Sequence, residues 1–194
     1  PTMFQSLAPG FLIASPPLGD PNFDRTVVLL AVHNEDGALG FVVNRESPFT
    51  VGELLQHAGY DGVHEEPAPV LIGGPVQPGS GWILVDDPTF TLGEDVLLVG
   101  DEIRVTSSRA AFDNLAEEDH ATLIAPPPRM ILLGYSGWGA SQLEGEIARG
   151  SWLPISFDKS ILFDVPVEQR WEAAYATLGL TLTHVMSMNR VGKA

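Results

Sequence analysis

Apolar residues in this chain come in short runs, and proline and glycine separate them. Gly10–Ala14 is one such run and reads as a strand. Ser15-Pro16-Pro17-Leu18-Gly19-Asp20-Pro21 then forces a loop, because each proline fixes φ and removes a backbone donor. Thr26–His33 is nearly all apolar and rich in β-branched residues, which predicts a strand buried on both faces. Asn34-Glu35-Asp36-Gly37 is a turn signal, and Gly40–Asn44 returns as a third strand. The pair predicts a hairpin with a loop of several residues.

Helical signals are fewer. Thr50–Ala58 has a capping box, with Thr50 as cap and Glu53 three residues on, and Gly59 stops it. Ser107–Leu115 predicts a second helix with Ser107 as its cap. Met130–Leu133 reads as a buried strand, Gly134–Gly139 as a glycine-rich turn, and Ala140–Arg149 as a helix with Ala140, Leu143 and Ile147 on one face. The last helix places Pro166 in its first turn, and Val167, Trp171, Ala174, Tyr175 and Leu178 form its apolar stripe. Val70–Ile72, Gly81–Val85, Asp95–Val99, Ile103–Thr106, Ser151–Ile155 and Ile161–Phe163 read as short strands. Strands and helices are mixed without regular βαβ alternation, and the early part is hairpin-like, so the class is α+β.

Composition adds bounds. The chain has 194 residues, and 44% are apolar, enough for a substantial core in one domain over 1–194. The net charge is −15, which disfavours direct binding to nucleic acid or anionic lipid through the long-range field. It is unevenly spread: Glu46–Ile103 holds 11 acidic residues and no Lys or Arg. There is no cysteine, hence no disulfide, thiolate metal site or thiol redox chemistry. No basic, apolar leader opens the chain, and no apolar run approaches the length of a membrane span. The expected location is the cytoplasm, with no membrane partner.

Candidate chemistry is sparse. Gly134–Gly139 has the order G-x-x-G-x-G, not the dinucleotide fingerprint, and Trp138 sits inside it. Ser136 lacks the second glycine of a nucleophile elbow, because Trp138 stands there. No His-x-x-x-His or calcium-loop spacing occurs, so neither a metal nor a cofactor is expected. The residues that gather around one loop and one hairpin are Asp20, Asp24, Arg25, His33, Asn44 and Arg45. Arg25 and Arg45 are two of only ten basic residues, and each lies at the edge of a buried strand, where it can orient an anion or pair with Asp20 or Asp24. The candidate ligand-binding set is Asp20, Arg25, His33, Asn44, Arg45, Ser136, Gly137 and Trp138, and it carries no catalytic assignment.

These segments also carry a resemblance. Gly10-Phe11-Leu12-Ile13-Ala14, Asp20 through Leu30, and His33 with Gly37 through Arg45 resemble the opening of the AlgH/YqgE family. Gly73-Gly74-Pro75-Val76 is similar to its middle motif. Gly134 through Ala140, Gln142-Leu143-Glu144, Glu146 and Trp152 resemble its third motif, and Leu162 through Pro166 with Arg170-Trp171 its tail. The resemblance implies a bacterial, cytosolic α+β protein of one domain: a bifurcated, mostly antiparallel sheet curled into a pseudo-barrel, with helices packed outside. It also implies a regulatory label. Many members of that family carry a cysteine near the end of the second strand, where this chain has Ala31 and Val32, so a thiol-based role does not transfer.

Three functions are open at this level. The first is a non-enzymatic regulatory or interaction protein with a protein partner. The second is a site for a small anionic ligand, binding or catalytic, between the first hairpin and the Gly134–Gly139 turn. The third is direct DNA binding, which the charge opposes.

Overall fold

The computed structural model describes residues 3–15, 24–62, 64, 66–91, 95–121 and 126–179. They fall into two compact units. One is built from residues 1–45 and 136–194, and the other, residues 46–135, is inserted between those segments in sequence. Strand and helix occur in both units in mixed order, and the class is α+β.

In the first unit, β1 (Gly10–Ala14) lies between β2 (Val27–Asn34) and β10 (Trp152–Ser156), antiparallel to both. β2 turns through Glu35-Asp36 into β3 (Gly37–Val42), so the hairpin loop is two residues and the return strand starts earlier than the sequence suggests. Gly37 makes this tight closure feasible: its φ is +140°, and a Cβ there would meet the Trp138 carbonyl oxygen at 2.2 Å. Beyond β3 runs the last part of β9 (Arg129–Gly139), with Gly37 opposite Gly139 and Gly40 opposite Ser136.

That pairing corrects the reading of Gly134–Gly139 as a turn. The segment is strand: Gly134, Ser136 and Trp138 are buried in alternation with Tyr135, Gly137 and Gly139. Pairing with β3 over Gly37–Gly40 draws the segment into the sheet despite its glycines. Helix α3 (Gln142–Ala148) follows, shorter at both ends than expected.

The sheet of this unit buries both faces. Leu12, Ala14, Val28, Leu30 and Val42 pack with Trp138, Leu143 and Trp152. Phe11, Ile13, Val27, Leu29 and Phe41 are equally buried, as are Ile161 and Leu162 of α4 (Lys159–Phe163) and Trp171, Ala174 and Tyr175 of α5 (Arg170–Ala176). Ile161–Phe163 is therefore helix and not strand. Asp158 caps it by accepting from the Ser160 N–H, and a three-residue apolar run carries no period of its own. Pro166 precedes a 3₁₀ turn over Val167–Gln169 and stands outside α5.

β10 pairs only with β1 among the described residues. The Ser15 N–H bonds the Ser151 carbonyl at 3.0 Å, so the ladder continues through Leu153 and Ile155 at period two. Trp152, Pro154 and Ser156 turn their backbone groups to the outer edge, and the missing N–H of Pro154 falls there.

In the second unit, the first part of β9 pairs antiparallel with β6 (Val76–Asp86) and parallel with β5 (Pro69–Ile72). β8 (Ile103–Thr106) and β7 (Leu97–Val99) extend the sheet beyond β6. β4 (Glu46–Thr50) pairs with β5. Helix α1 (Val51–His57) has the Thr50/Glu53 capping box that the sequence predicts. In α2 (Arg109–Ala121) the cap is Ser108, whose Oγ accepts from the Ala110 N–H, and not Ser107. Val51, Leu55, Val70, Ile83, Ala111, Leu115 and Ile131 form this unit's core.

Candidate functional site

The candidate residues fall at the two ends of the first hairpin. At the closed end, His33 is opposite Ala38, and Ala38 is opposite Trp138, so the three stand in one row across three strands. His33 is 6% exposed. Its Nδ1 accepts from the Leu7 N–H at 3.0 Å, and its Nε2 lies 2.5 Å from Glu144 Oε1. An Nδ1 that accepts carries no proton, so the ring is neutral with its hydrogen on Nε2, donated to the carboxylate. The Phe4 ring stands edge-on to His33, with centroids 4.8 Å apart.

Helix α3 supplies the acids. Its start is set by Gln142, whose Oε1 accepts from the Gly139 N–H at 3.0 Å. Glu146 then collects three donors: Trp138 Nε1 at 3.1 Å, Trp152 Nε1 at 2.9 Å and Gln142 Nε2 at 2.9 Å. The indoles are in edge-to-face contact, 5.9 Å between centroids. Ser136 is fully buried and in register with Gly40, two positions along β9 from the row of His33. Gly137 is exposed, opposite Leu39.

At the open end, Asn44 joins the strand starts. Its Oδ1 accepts from the Val27 N–H at 2.8 Å, and its Nδ2 donates to the Arg25 carbonyl at 2.9 Å. Arg25 has φ +50° and holds its guanidinium over the Trp171 ring, 5.3 Å from the centroid. Arg45 donates to the Asp24 carbonyl at 3.1 Å. Asp20 lies outside the described residues. The hairpin places the two groups apart: β3 alone covers roughly 13 Å between Ala38 and Val42. Arg25, Asn44 and Arg45 thus gather together, and so do His33, Ser136, Gly137 and Trp138, but not all seven.

The partners Leu7, Phe4, Glu144 and Glu146 were invisible as such in the sequence. The spacing of Glu144 and Glu146 on one short helix carries no signal that one acid faces a histidine and the other two tryptophans. Among the described residues, no group of three His, Asp or Glu side chains is placed to share a metal ion.

Cavities lie within both units. In the first unit, a groove of about 770 Å³ is lined by Ser6, Leu7, Pro9, Pro154, Phe157 and Leu178, among others. In the second, a cavity of about 270 Å³ includes Asp87, Phe90, Asn114, Glu118 and Arg129. Another of about 280 Å³ runs past Leu54, Tyr60, Gly81, Arg109 and Phe112. The Arg129 guanidinium pairs with Glu118 and, at 3.5 Å, with Glu66. Hydrogen bonds from the Thr89 hydroxyl and N–H hold the Asp87 carboxyl below the usual carboxylate range. Burial and the bond to Asp113 push the Tyr60 phenol up.

Comparison with known proteins now adds the family. The profile described as AlgH-like (DUF179) matches residues 11–183. The chain belongs to the AlgH-like family. A UPF0301 protein of Anaeromyxobacter dehalogenans is 42% identical over 182 residues, covering 90% of this chain and 89% of that relative. A UPF0301 protein of Nitrosococcus oceani is 40% identical over 177 residues, with 90% and 91% covered. The solution structure of the AlgH protein from Pseudomonas aeruginosa superposes with a TM-score of 0.75 at 37% identity, covering 93% of this chain and 95% of that one. A crystal structure from Corynebacterium diphtheriae, 17% identical, shares the fold with a TM-score of 0.64 over 89% of this chain and 87% of that one. The AlgH-like resemblance read from the motifs is thus correct, and so is the α+β class that it carries. Among the described residues, no helix is long and apolar enough to cross a membrane.

Proposed function

We propose that this AlgH-like protein acts in the cytoplasm as a regulatory or interaction protein, through contact with a protein partner and not through catalysis. One observation supports this reading above others: the polar groups of the family motifs engage one another. His33 is held by Leu7 and Glu144, Asn44 by Val27 and Arg25, and both indoles by Glu146. Side chains committed in this way build a rigid frame for a surface. The partner surface that suits the acidic stretch is basic with an apolar contact, because Leu98 is 66% exposed and exposed Asp95 and Asp101 flank it in sequence.

The test is quantitative affinity capture from native lysate at low salt, run in parallel with Asp61→Asn/Asp95→Asn/Asp101→Asn, a variant that neutralises three exposed acids of the Glu46–Ile103 stretch. The expected result is a stoichiometric partner held by the natural protein, released by salt and lost by the triple variant. Repeated capture without a stoichiometric partner overturns the reading.

A second reading, a site for a small anion, is favoured by the placement of Arg25 and Arg45 at one turn, where Asn44 bonds the Arg25 carbonyl and the Arg45 guanidinium the Asp24 carbonyl. A thermal-unfolding panel of nucleotides, sugar phosphates and simple anions tests it. A ligand at about a hundred times its dissociation constant adds about 2.7 kcal/mol, an effect that Arg25→Ala and Arg45→Ala must abolish.

A further inference from the structure

The N-terminal residues Met3–Ala8 form neither strand nor helix, and the segment Met3–Pro9 carries no titratable side chain. This segment lies across the closed end of the first hairpin. Two contacts tie it to His33: the Leu7 N–H bonds Nδ1, and the Phe4 ring packs on the imidazole. Ser6, Leu7 and Pro9 of the same segment form one wall of the groove beside β10. We propose that His33 is a proton-operated latch: neutral, it fastens this strap over the hairpin; protonated, it lets the strap go and removes that wall of the groove.

The Leu7 N–H is a donor with no acceptor capacity, so it tolerates only an unprotonated Nδ1. Adding the second proton places two donors face to face, and the Leu7 bond must break. The proton itself is not unwelcome, because Glu144 already faces Nε2 and an imidazolium there gains a full ion pair. Glu144 is thus a partner for either form of the ring, whereas the Leu7 N–H is a partner only for the neutral one. A histidine between these two demands is a two-position device, not merely a buried polar residue.

Among the described residues, no other charge faces the ring from the elements around it. β1, β3 and residues 136–139 contain no titratable group. On α3, Glu146 is committed to the two indoles and Gln142. Glu35 and Asp36 are exposed at the hairpin tip. The balance is between Glu144 and the strap.

The test is amide hydrogen exchange at Leu7 in the full chain from pH 8 to pH 5, corrected for intrinsic exchange, with His33 ring nitrogen shifts followed in the same samples. Those shifts are expected to report hydrogen on Nε2 alone at pH 8. As His33 takes its second proton, Leu7 protection is expected to fall roughly tenfold, the equivalent of one hydrogen bond, while core amides of β2 keep theirs. Glu144→Gln keeps an acceptor for Nε2–H but removes the charge that favours imidazolium, so the transition moves to lower pH. Three results overturn the latch: hydrogen on Nδ1 at pH 8, His33 held in one protonation state across the range, or Leu7 protection that stays constant while His33 titrates.

Discussion

Trp138 and Trp152 donate their indole N–H groups to the same oxygen, Oε1 of Glu146, while their rings meet edge to face. Both indoles are buried, Trp138 at 7% exposure and Trp152 at 1%. One carboxylate on a short helix thereby fixes the end of β9 and the start of β10. Replacing Glu146 with Leu takes the carboxylate acceptor from two buried donors, at about 1–3 kcal/mol each. We expect Glu146→Leu to lose about 2–4 kcal/mol in urea unfolding followed by tryptophan fluorescence. Glu146→Gln retains an acceptor oxygen and is expected to lose less than half as much.

Arg170 is buried and spends its fork on three carbonyls: Val165 through Nε at 3.0 Å, Val43 at 2.5 Å and Leu162 at 2.6 Å. It ties α5 to the end of α4 and to the backbone just after β3. Arg170→Met fits the space but satisfies none of the three acceptors, and a loss of roughly 3–5 kcal/mol is expected by denaturant unfolding. Arg170→Lys keeps the charge but not the planar fork, and belongs between the two. A methionine variant within 1 kcal/mol of the natural protein would show that water replaces the guanidinium.

Gly37 and Gly59 both have positive φ, +140° and +89°, but their surroundings differ. A Cβ on Gly37 runs into the Trp138 carbonyl, whereas nothing lies within 4 Å of one on Gly59. Gly59→Ala is therefore expected to cost only backbone strain, about 1–2 kcal/mol. Gly37→Ala adds a collision that β3 and β9 can relieve only by separating, and the expected loss is about 3 kcal/mol or more. Equal losses in the two variants would mean that the strands separate without resistance.

Tyr175 sets an alkaline limit. Burial raises its pKa from 10.0 to about 12, against a smaller opposing effect of the bond with Ser15. The folded state thus keeps a proton that the unfolded chain has already released. The contribution is complete below pH 10 and is lost as pH rises from about 10 to about 12. Tyr175→Phe cannot titrate, so its stability relative to the natural protein is expected to improve across that window. A difference between the two proteins that stays flat from pH 9 to pH 12 would contradict the assignment.

Much of the frame was legible because its signals are local. Gly10–Ala14 is a strand with the bounds its apolar run suggests, and Thr50 with Glu53 caps α1 through chemistry contained in four residues. Where reading failed, the deciding interaction was distant. Gly134–Gly139 looks like a turn until Gly37–Gly40 lies beside it. Glu46–Thr50 is polar, contains Pro48, and becomes a strand only through Leu71 and Pro69. The site divides in the same way. Asn44 and Arg25 were associated through one hairpin, but Glu144 reaches His33 across 111 positions of chain, and no spacing announces such a pair.

Pro154 bears on how this protein behaves in a crowded solution. A sheet that ends in an open row of donors and acceptors invites the next copy to continue it, and concentrated samples of such proteins drift toward fibres. Here the row is interrupted at its middle by a residue with no hydrogen to give. The interruption costs the fold nothing, because Ser151, Leu153 and Ile155 serve the ladder to β1 and Pro154 does not. Solubility at that margin rests on the covalent structure of one ring, and salt, which screens the −15 net charge, leaves it in force.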